Sequence, residues 1–273
     1  MEGSVVHKYL RKNKKFPHIW CPGCGHGIIM GSILRVIDKL QLDRDNVAMI
    51  SGIGCSSRTP TYVDFNTMHT THGRALAFAT GVKLAKPDMK VIVVMGDGDA
   101  VGIGGNHFIH AARRNMDLKV IVYNNNIYGM TGGQMSPTTP SGKKATTARM
   151  GNIERSFDIC ALGEATGANY VARATAYHVQ LLDKYIEKSL TKKGFTLVEA
   201  ISHCPTTYGR LNKTKDPVEM MKFQKENFIP KAVYDKLSDE DRKEKFPIGE
   251  FVDVDKEDFV SRYLKLIEAV GEK

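Results

Sequence analysis

At 273 residues, with 42% hydrophobic side chains, the chain has the size and composition of an ordinary globular protein, enough for one large domain or a domain with an appendage. No apolar run reaches membrane-spanning length, and residues 1–20 are basic without the apolar centre of a secretory signal, so no membrane insertion and a cytoplasmic location are expected. The formal charge of +9 points to an acidic protein partner or an anionic substrate; with no nucleic-acid motif and no basic stripe interleaved with aromatics, no nucleic-acid role is expected.

In chain order, the first motif is "WCPGCGH" (20–26), which places Cys21 and Cys24 just before an amphipathic helix predicted over 27–40. A buried strand is predicted at 47–52, and the loop "GIGCSS" after it carries Cys55. A helix over 74–85, a strand at 90–96, a helix over 105–115 and a strand at 119–124 follow. Further on, a helix is predicted over 175–190 and a strand at 195–201, after which "SHCPTTYGRLN" holds Cys204. Alternating strands and helices predict an α/β fold with a parallel sheet covered on both faces and a site beyond the carboxyl ends of its strands. Residues 1–208 are read as this domain. The charged, Pro-punctuated remainder, 209–273, is read as a C-terminal arm closing with a helix over 255–270.

The stretch from 96 to 134, "GDGDAVGIGGNHFIHAARRNMDLKVIVYNNNIYGMTGGQ", runs from the end of one predicted strand to just past the next. Gly96 and Gly98 permit a tight strand-to-helix turn with backbone N–H groups facing an anion. Asp97 offers a carboxylate oxygen suited to Mg²⁺, and Asn125 brings an amide oxygen to the same end of the sheet. A lone GDG is commonly only a turn; paired with Asn after a helix and a strand it is specific. This stretch resembles the diphosphate-binding domain of thiamine diphosphate enzymes. The resemblance implies Mg²⁺ held by Asp97, Asn125 and the main-chain oxygen of Ile127. The run Asn124-Asn125-Asn126 leaves a register to choose, and Asn125 is taken because "IYGMTGGQ" then follows in the family's register.

Cys21, Cys24, Cys55 and Cys204 all fall in loops that can meet at one end of the sheet, whereas Cys160 lies in an apolar helical pattern with Phe157, Ile159 and Leu162 and reads as a core thiol. An odd number of cysteines in a reducing compartment argues against a disulfide framework. Four loop cysteines suit Zn²⁺ or a [4Fe–4S] cluster; their spacing is too dispersed for a zinc finger and lacks the compact run of a ferredoxin. The order "CPGCGHG", "GIGCS", "THGRALAFATGVKLAKP", GDG…NN and "CPT" resembles the β subunit of 2-oxoacid:ferredoxin oxidoreductases over about residues 16–212.

In that family the four positions bind one [4Fe–4S] cluster beside the cofactor. The implied cofactor-binding residues are Ile53, Gly54, Cys55, Ser56, His72, Gly96, Asp97, Gly98, Asp99, Asn125 and Ile127, with His72 also the catalytic candidate. Arg74 falls among the family's site positions too, and residues 131–134 are read as lining the substrate pocket. His69, His107 and the Arg113-Arg114 pair are read as structural or solvated. The implied reaction is 2-oxoacid, CoA and oxidised ferredoxin going to acyl-CoA, CO₂ and reduced ferredoxin. The chain lacks the pyrimidine-binding half, so the resemblance implies an α subunit to complete the site, with or without further small subunits. The substrate expectation is 2-oxoglutarate, from "YGMTGGQMSPTTP" and "CPTTYGRLN", with Arg210 a candidate for its second carboxylate. A branched-chain 2-oxoacid, pyruvate and a non-redox thiamine decarboxylase or carboligase are the alternatives.

Overall fold

Residues 90–96 show how the sequence makes a two-faced sheet. Val91, Val93 and Met95 enter one hydrophobic core and Ile92 and Val94 enter another, so a run that reads as continuously apolar is a strand buried on both sides. The computed structural model describes residues 4–13 and 16–271. In chain order its elements are α1 (Val5–Lys8), α2 (His26–Lys39), β1 (Val47–Ser51), α3 (Thr59–Tyr62), β2 (Asn66–His69), α4 (Ala75–Ala85), β3 (Lys90–Gly96), α5 (Gly105–Arg113), β4 (Lys119–Asn124) and α6 (Ile159–Ala165). They continue with β5 (Tyr170–Thr175), α7 (Val179–Thr191), β6 (Thr196–Ile201), α8 (Pro217–Asn227), β7 (Phe228–Pro230), α9 (Lys231–Tyr234), β8 (Phe246–Asp253) and α10 (Phe259–Gly271). Among the described residues no helix is long and apolar enough to cross a membrane.

The eight strands form one sheet in the order β2-β1-β3-β4-β6-β5-β8-β7, parallel except where β8 runs antiparallel to β5. On one face α2 and α7 pack on each other, burying Ile29, Ile33, Ile37, Leu182 and Ile186 against Met49, Ile121 and Val198. On the other, α4, α5 and α6 bury Leu76, Phe108, Ala112 and Ile159 against Val120, Val122 and Leu197. The strands expected at 47–52, 90–96, 119–124 and 195–201 are β1, β3, β4 and β6. The helix expected over 175–190 starts later, at Val179, because residues 170–175 form β5. The helix expected over 105–115 ends at Arg113, and Asn115 turns the chain at φ 53. The stretch after 208 supplies β7 and β8 to the same sheet.

From β1 the chain moves outward to β2, then crosses back to β3 and proceeds through β4 in the opposite direction. The strand order therefore reverses between β1 and β3, and the crevice above their carboxyl ends is where this architecture places ligands.

The opposite, amino end of the sheet is closed by buried charge. Asp117 lies 2.8 Å from Lys83 Nζ and 2.6 Å from Lys119 Nζ, and all three side chains are at most 4% exposed. Lys119 also donates to the main-chain oxygens of Lys192 and Gly194. Burial works to raise the Asp117 carboxyl, yet the Lys119 and Lys83 ammoniums overcome it and hold the group at about 2. Asp117→Asn would leave two buried ammoniums without their anion. It should destabilise the fold by about 3–5 kcal/mol, since breaking a buried ion pair from one side strands the other charge. Thermal unfolding checks this, with a midpoint lowered by roughly 10 °C expected for a domain of this size.

Candidate functional site

Two loops and one turn build the site. After β1, residues 52–58 turn sharply and carry Cys55 and Ser56; after β3, residues 96–99 lead into a wide π-type turn over Gly98–Gly102; after β4 comes the Asn124–Tyr128 turn. They enclose a cavity of about 140 Å³ that also reaches His26, Tyr123 and residues 128–131. All eleven residues expected at the cofactor, 53–56, His72, 96–99, Asn125 and Ile127, line this one cavity. Of residues 131–134, only Thr131 lines it among the described residues. A wider cleft of about 350 Å³ between α2 and α7 is lined by surface groups already paired, such as Arg35 with Asp183, and has no converging chemistry.

The cavity's floor is a set of oxygens. Asp97 is 2% exposed, and Asn125 Oδ1 lies 3.2 Å from Asp97 Oδ1 and 2.8 Å from the main-chain oxygen of Ile127 with only acceptors around it. Rotating the amide would turn both contacts into N–H donations. In either orientation the Asn125 amide touches both Asp97 Oδ1 and the Ile127 main-chain oxygen, so the three groups converge on one point of the cavity. Burial raises the Asp97 carboxyl, and hydrogen bonds from Ser136 and Thr138 oppose it. Asn124, the alternative register, is already committed, donating to Glu199 Oε1 at 2.7 Å and accepting from Asn126 N–H at 3.0 Å. Asn125 is thus the member of the asparagine run left facing the cavity.

Around this floor lie polar atoms with no protein partner. Ser56 Oγ and Asp99 Oδ2 are both buried and unsatisfied, the state expected of groups waiting for a ligand. Asp99 Oδ1 is well occupied, accepting from Gly73 N–H at 2.6 Å and His72 Nδ1 at 2.7 Å. The hydrogen bond to Asp99 is the main reason His72 holds its proton to higher pH than an ordinary imidazole. His26, at the start of α2, behaves oppositely: burial, helped by His203, lowers it to about 3 and keeps it neutral. Composition gave no signal for His26 as a lining residue, because it sits inside the "CPGCGHG" motif and reads as part of the cysteine loop.

The same end of the sheet gathers the cysteines. Cys21 and Cys24 lie in the turn ahead of α2, where the Cys24 N–H donates to Cys21 O at 3.0 Å. A Cβ placed on Gly129 would sit 3.7 Å from Cys55 Sγ and 3.8 Å from Cys204 Sγ, so both sulfurs face one small volume. Burial chiefly pushes Cys24 up to about 12, and Cys204, Cys55 and Cys21 add to it; Cys55 is pushed up to about 11 by burial and then by Cys204 and Cys21. No three of these four sulfurs lie within 4.8 Å of one another. Cys160 is elsewhere, fully buried in α6 with its thiol 3.3 Å from Glu199 Oε2.

Residues 52–200 match the family described as thiamine pyrophosphate enzyme, C-terminal TPP binding domain. The 2-oxoglutarate synthase subunit KorB of Methanocaldococcus jannaschii is 52% identical over 261 residues, covering 96% of each chain. The protein of the same name from Archaeoglobus fulgidus is 54% identical over 220 residues, covering 81% of this chain and 80% of that one. A solved structure, 2-oxoglutarate:ferredoxin oxidoreductase from Magnetococcus marinus with 2-oxoglutarate, coenzyme A and succinyl-CoA bound, superposes with a TM-score of 0.83 at 32% identity, covering 99% of this chain and 92% of that chain. The chain belongs to the thiamine pyrophosphate enzymes, and within them to the family of the 2-oxoglutarate synthase KorB subunits.

Gly98 makes the cavity possible. A Cβ there would fall 2.1 Å from the Tyr128 ring, whose backbone is tied to Gln134 O at 3.0 Å. Gly98→Ala should force the ring into the cavity and weaken thiamine diphosphate binding by roughly tenfold or more, about 1.4 kcal/mol. The double variant Gly98→Ala/Tyr128→Ala, which removes the clash, should recover binding in equilibrium dialysis.

Proposed function

We propose that this chain is the cofactor-carrying β subunit of a 2-oxoglutarate:ferredoxin oxidoreductase, converting 2-oxoglutarate and CoA to succinyl-CoA and CO₂, or the reverse. The observation that carries this is the convergence of Asp97, Asn125 and the Ile127 carbonyl beside four cysteines at the carboxyl end of the sheet. Asp97, Asn125 and the Ile127 carbonyl would hold Mg²⁺ against the diphosphate, and Ser56 Oγ and the backbone N–H groups of the 96–99 turn would bind its oxygens. Thiamine diphosphate supplies, when bound, the electron sink that decarboxylation of a 2-oxoacid needs. His72, its proton stabilised by Asp99, stands at the cavity wall where it can bind an anionic group or hold a proton for exchange. His26, neutral and hydrogen-bonded to Ser202, adds no competing charge.

Cys21, Cys24, Cys55 and Cys204 would bind one [4Fe–4S] cluster. A single zinc ion with Zn–S bonds of about 2.3 Å needs all its sulfurs about 3.8 Å apart, whereas no three of these four lie within 4.8 Å of one another. A four-iron cluster takes each sulfur on a separate iron and needs a wider cage. The positive charge of the chain suits an acidic ferredoxin as electron partner. The pyrimidine half of the cofactor would rest on a partner α subunit. Exposed Ile53, Ile103 and Met130, around the metal and cysteine loops, fit burial against such a partner.

For the second carboxylate of 2-oxoglutarate, Arg58 joins Arg210 as a candidate. Its Nε is buried without a partner, and its guanidinium reaches Met130 Sδ at 3.8 Å, on the cavity lining. Arg210 is exposed at the end of the Pro205–Gly209 turn.

Changing any of Cys21, Cys24, Cys55 or Cys204 to Ser should deplete iron in anaerobically purified protein, while Cys160→Ser keeps it; colourless protein with stoichiometric zinc would overturn the cluster. With CoA and a low-potential acceptor, kcat/KM should favour 2-oxoglutarate over pyruvate and 2-oxoisovalerate. Arg58→Met should reduce that preference by about tenfold or more, as loss of one charge-assisted contact implies. A preference for 2-oxoisovalerate would move the substrate and leave the reaction class standing.

A further inference from the structure

We propose that Thr138 is the positioning residue of the metal carboxylate, fixing Asp97 so that one oxygen, and only one, faces the cation; this rests on the Mg²⁺ reading above. Thr138 lies in the stretch between β4 and α6, outside any helix or strand, and is 2% exposed. Its Oγ1 is 2.6 Å from Asp97 Oδ2 and 3.0 Å from Asn124 Oδ1. Two acceptors face one hydroxyl proton. Asn124 Oδ1 already takes the Asn126 N–H, and the carboxylate is nearer and charged, so the proton goes to Asp97. The Ser136 hydroxyl, 3.2 Å from Thr138 Oγ1, also donates to the Asp97 carboxylate. With Oδ2 held, Oδ1 is the oxygen presented to the Asn125 amide, which also touches the Ile127 carbonyl.

The hold is built into the sheet. Glu199 on β6 takes the Asn124 amide N–H at 2.7 Å and so decides which amide atom faces Thr138. Its other oxygen takes Arg173 Nε at 2.6 Å, and Arg173 continues to Asp158 at 2.6 Å. This Arg compensates a glutamate that is 2% exposed, and a set of three possible ligands (Asp158, Cys160 and Glu199) is thereby already supplied with a cation. The loop end is fixed too: Thr139 Oγ1 donates to Asn126 O at 2.7 Å, and Asn152 Nδ2 to Thr139 O at 2.6 Å. Thr138 therefore joins a rigid loop to the cofactor turn by one hydroxyl.

The test is a Mg²⁺ titration of the assembled enzyme at fixed thiamine diphosphate, with bound cofactor read by equilibrium dialysis, on wild type, Thr138→Val, Thr138→Ser and Asp97→Ala. Thr138→Val should raise the Mg²⁺ needed for half-saturation by about 10–100-fold, the usual effect of losing a group that orients a metal ligand. Saturating Mg²⁺ should restore full cofactor stoichiometry, which a misfolded site would not allow. Thr138→Ser, which keeps the hydroxyl, should titrate close to wild type. A Thr138→Val titration that coincides with wild type, or a Thr138→Ser as weak as Thr138→Val, overturns the proposal while a weakened Asp97→Ala leaves the metal assignment in place. An Asp97→Ala protein that titrates like wild type overturns the metal assignment and this role with it.

Discussion

At the carboxyl ends of β3 and β4 the Asn125 amide is held 3.2 Å from Asp97 Oδ1 and 2.8 Å from the Ile127 main-chain oxygen, and the buried Asp97 carboxylate is the constraint around which this end of the sheet is arranged. Asp97 is buried, so ionisation without a counter-charge is disfavoured, and its carboxyl rises accordingly. Thr138 and Ser136 offset part of that penalty, and a hard divalent cation would remove the rest. β4 is buried along its whole length and β3 at all but its two end residues, which fixes the turns that carry these groups. A parallel sheet supplies this by topology: the turns after β1, β3 and β4 all rise on the same side, where the order reverses.

The two ends of the sheet solve opposite problems. At the amino end, every buried charge has a partner: Asp117 is shared by Lys83 and Lys119, and the remaining lysine protons go to main-chain oxygens. At the carboxyl end, Ser56 Oγ and Asp99 Oδ2 are left unsatisfied beside a cavity. Stability is concentrated where no ligand arrives, and local consistency is relaxed where one does.

Much of this was legible in the sequence because the strands that build the site are also the most hydrophobic. Asp97 and Asn125 are 28 positions apart because one helix and one strand fit between them, so the motif carries its own geometry. Register favours Asn125 over Asn124, and it is Asn125 that lines the cavity while Asn124 is bonded to Glu199. What stayed hidden depends on tertiary partners. Arg173 interrupts the apolar run of β5 and is tolerated only because Glu199 and Asp158 receive it. β2 is an exposed edge strand with no apolar run, and β8 contains Pro247 and Gly249, which read as turn residues but are accepted near a sheet edge. Thr138 sits in a stretch without periodicity, where a buried hydroxyl and a solvated one look the same.

Gly129 ties the two halves of the site together. A side chain there would lie 3.7 Å from the Asn125 amide nitrogen, 3.7 Å from Cys55 Sγ and 3.8 Å from Cys204 Sγ. The Asn124–Tyr128 turn and two of the four cysteine sulfurs thus meet at a residue without a side chain. Cys55 belongs to the same loop as Ser56, and Trp20, beside Cys21, donates to the Cys55 main-chain oxygen at 2.7 Å. One loop therefore carries residues that face both the cavity and the other cysteines. A residue without a side chain at this point lets the turn that lines the cavity and the cysteine loops approach one another closely.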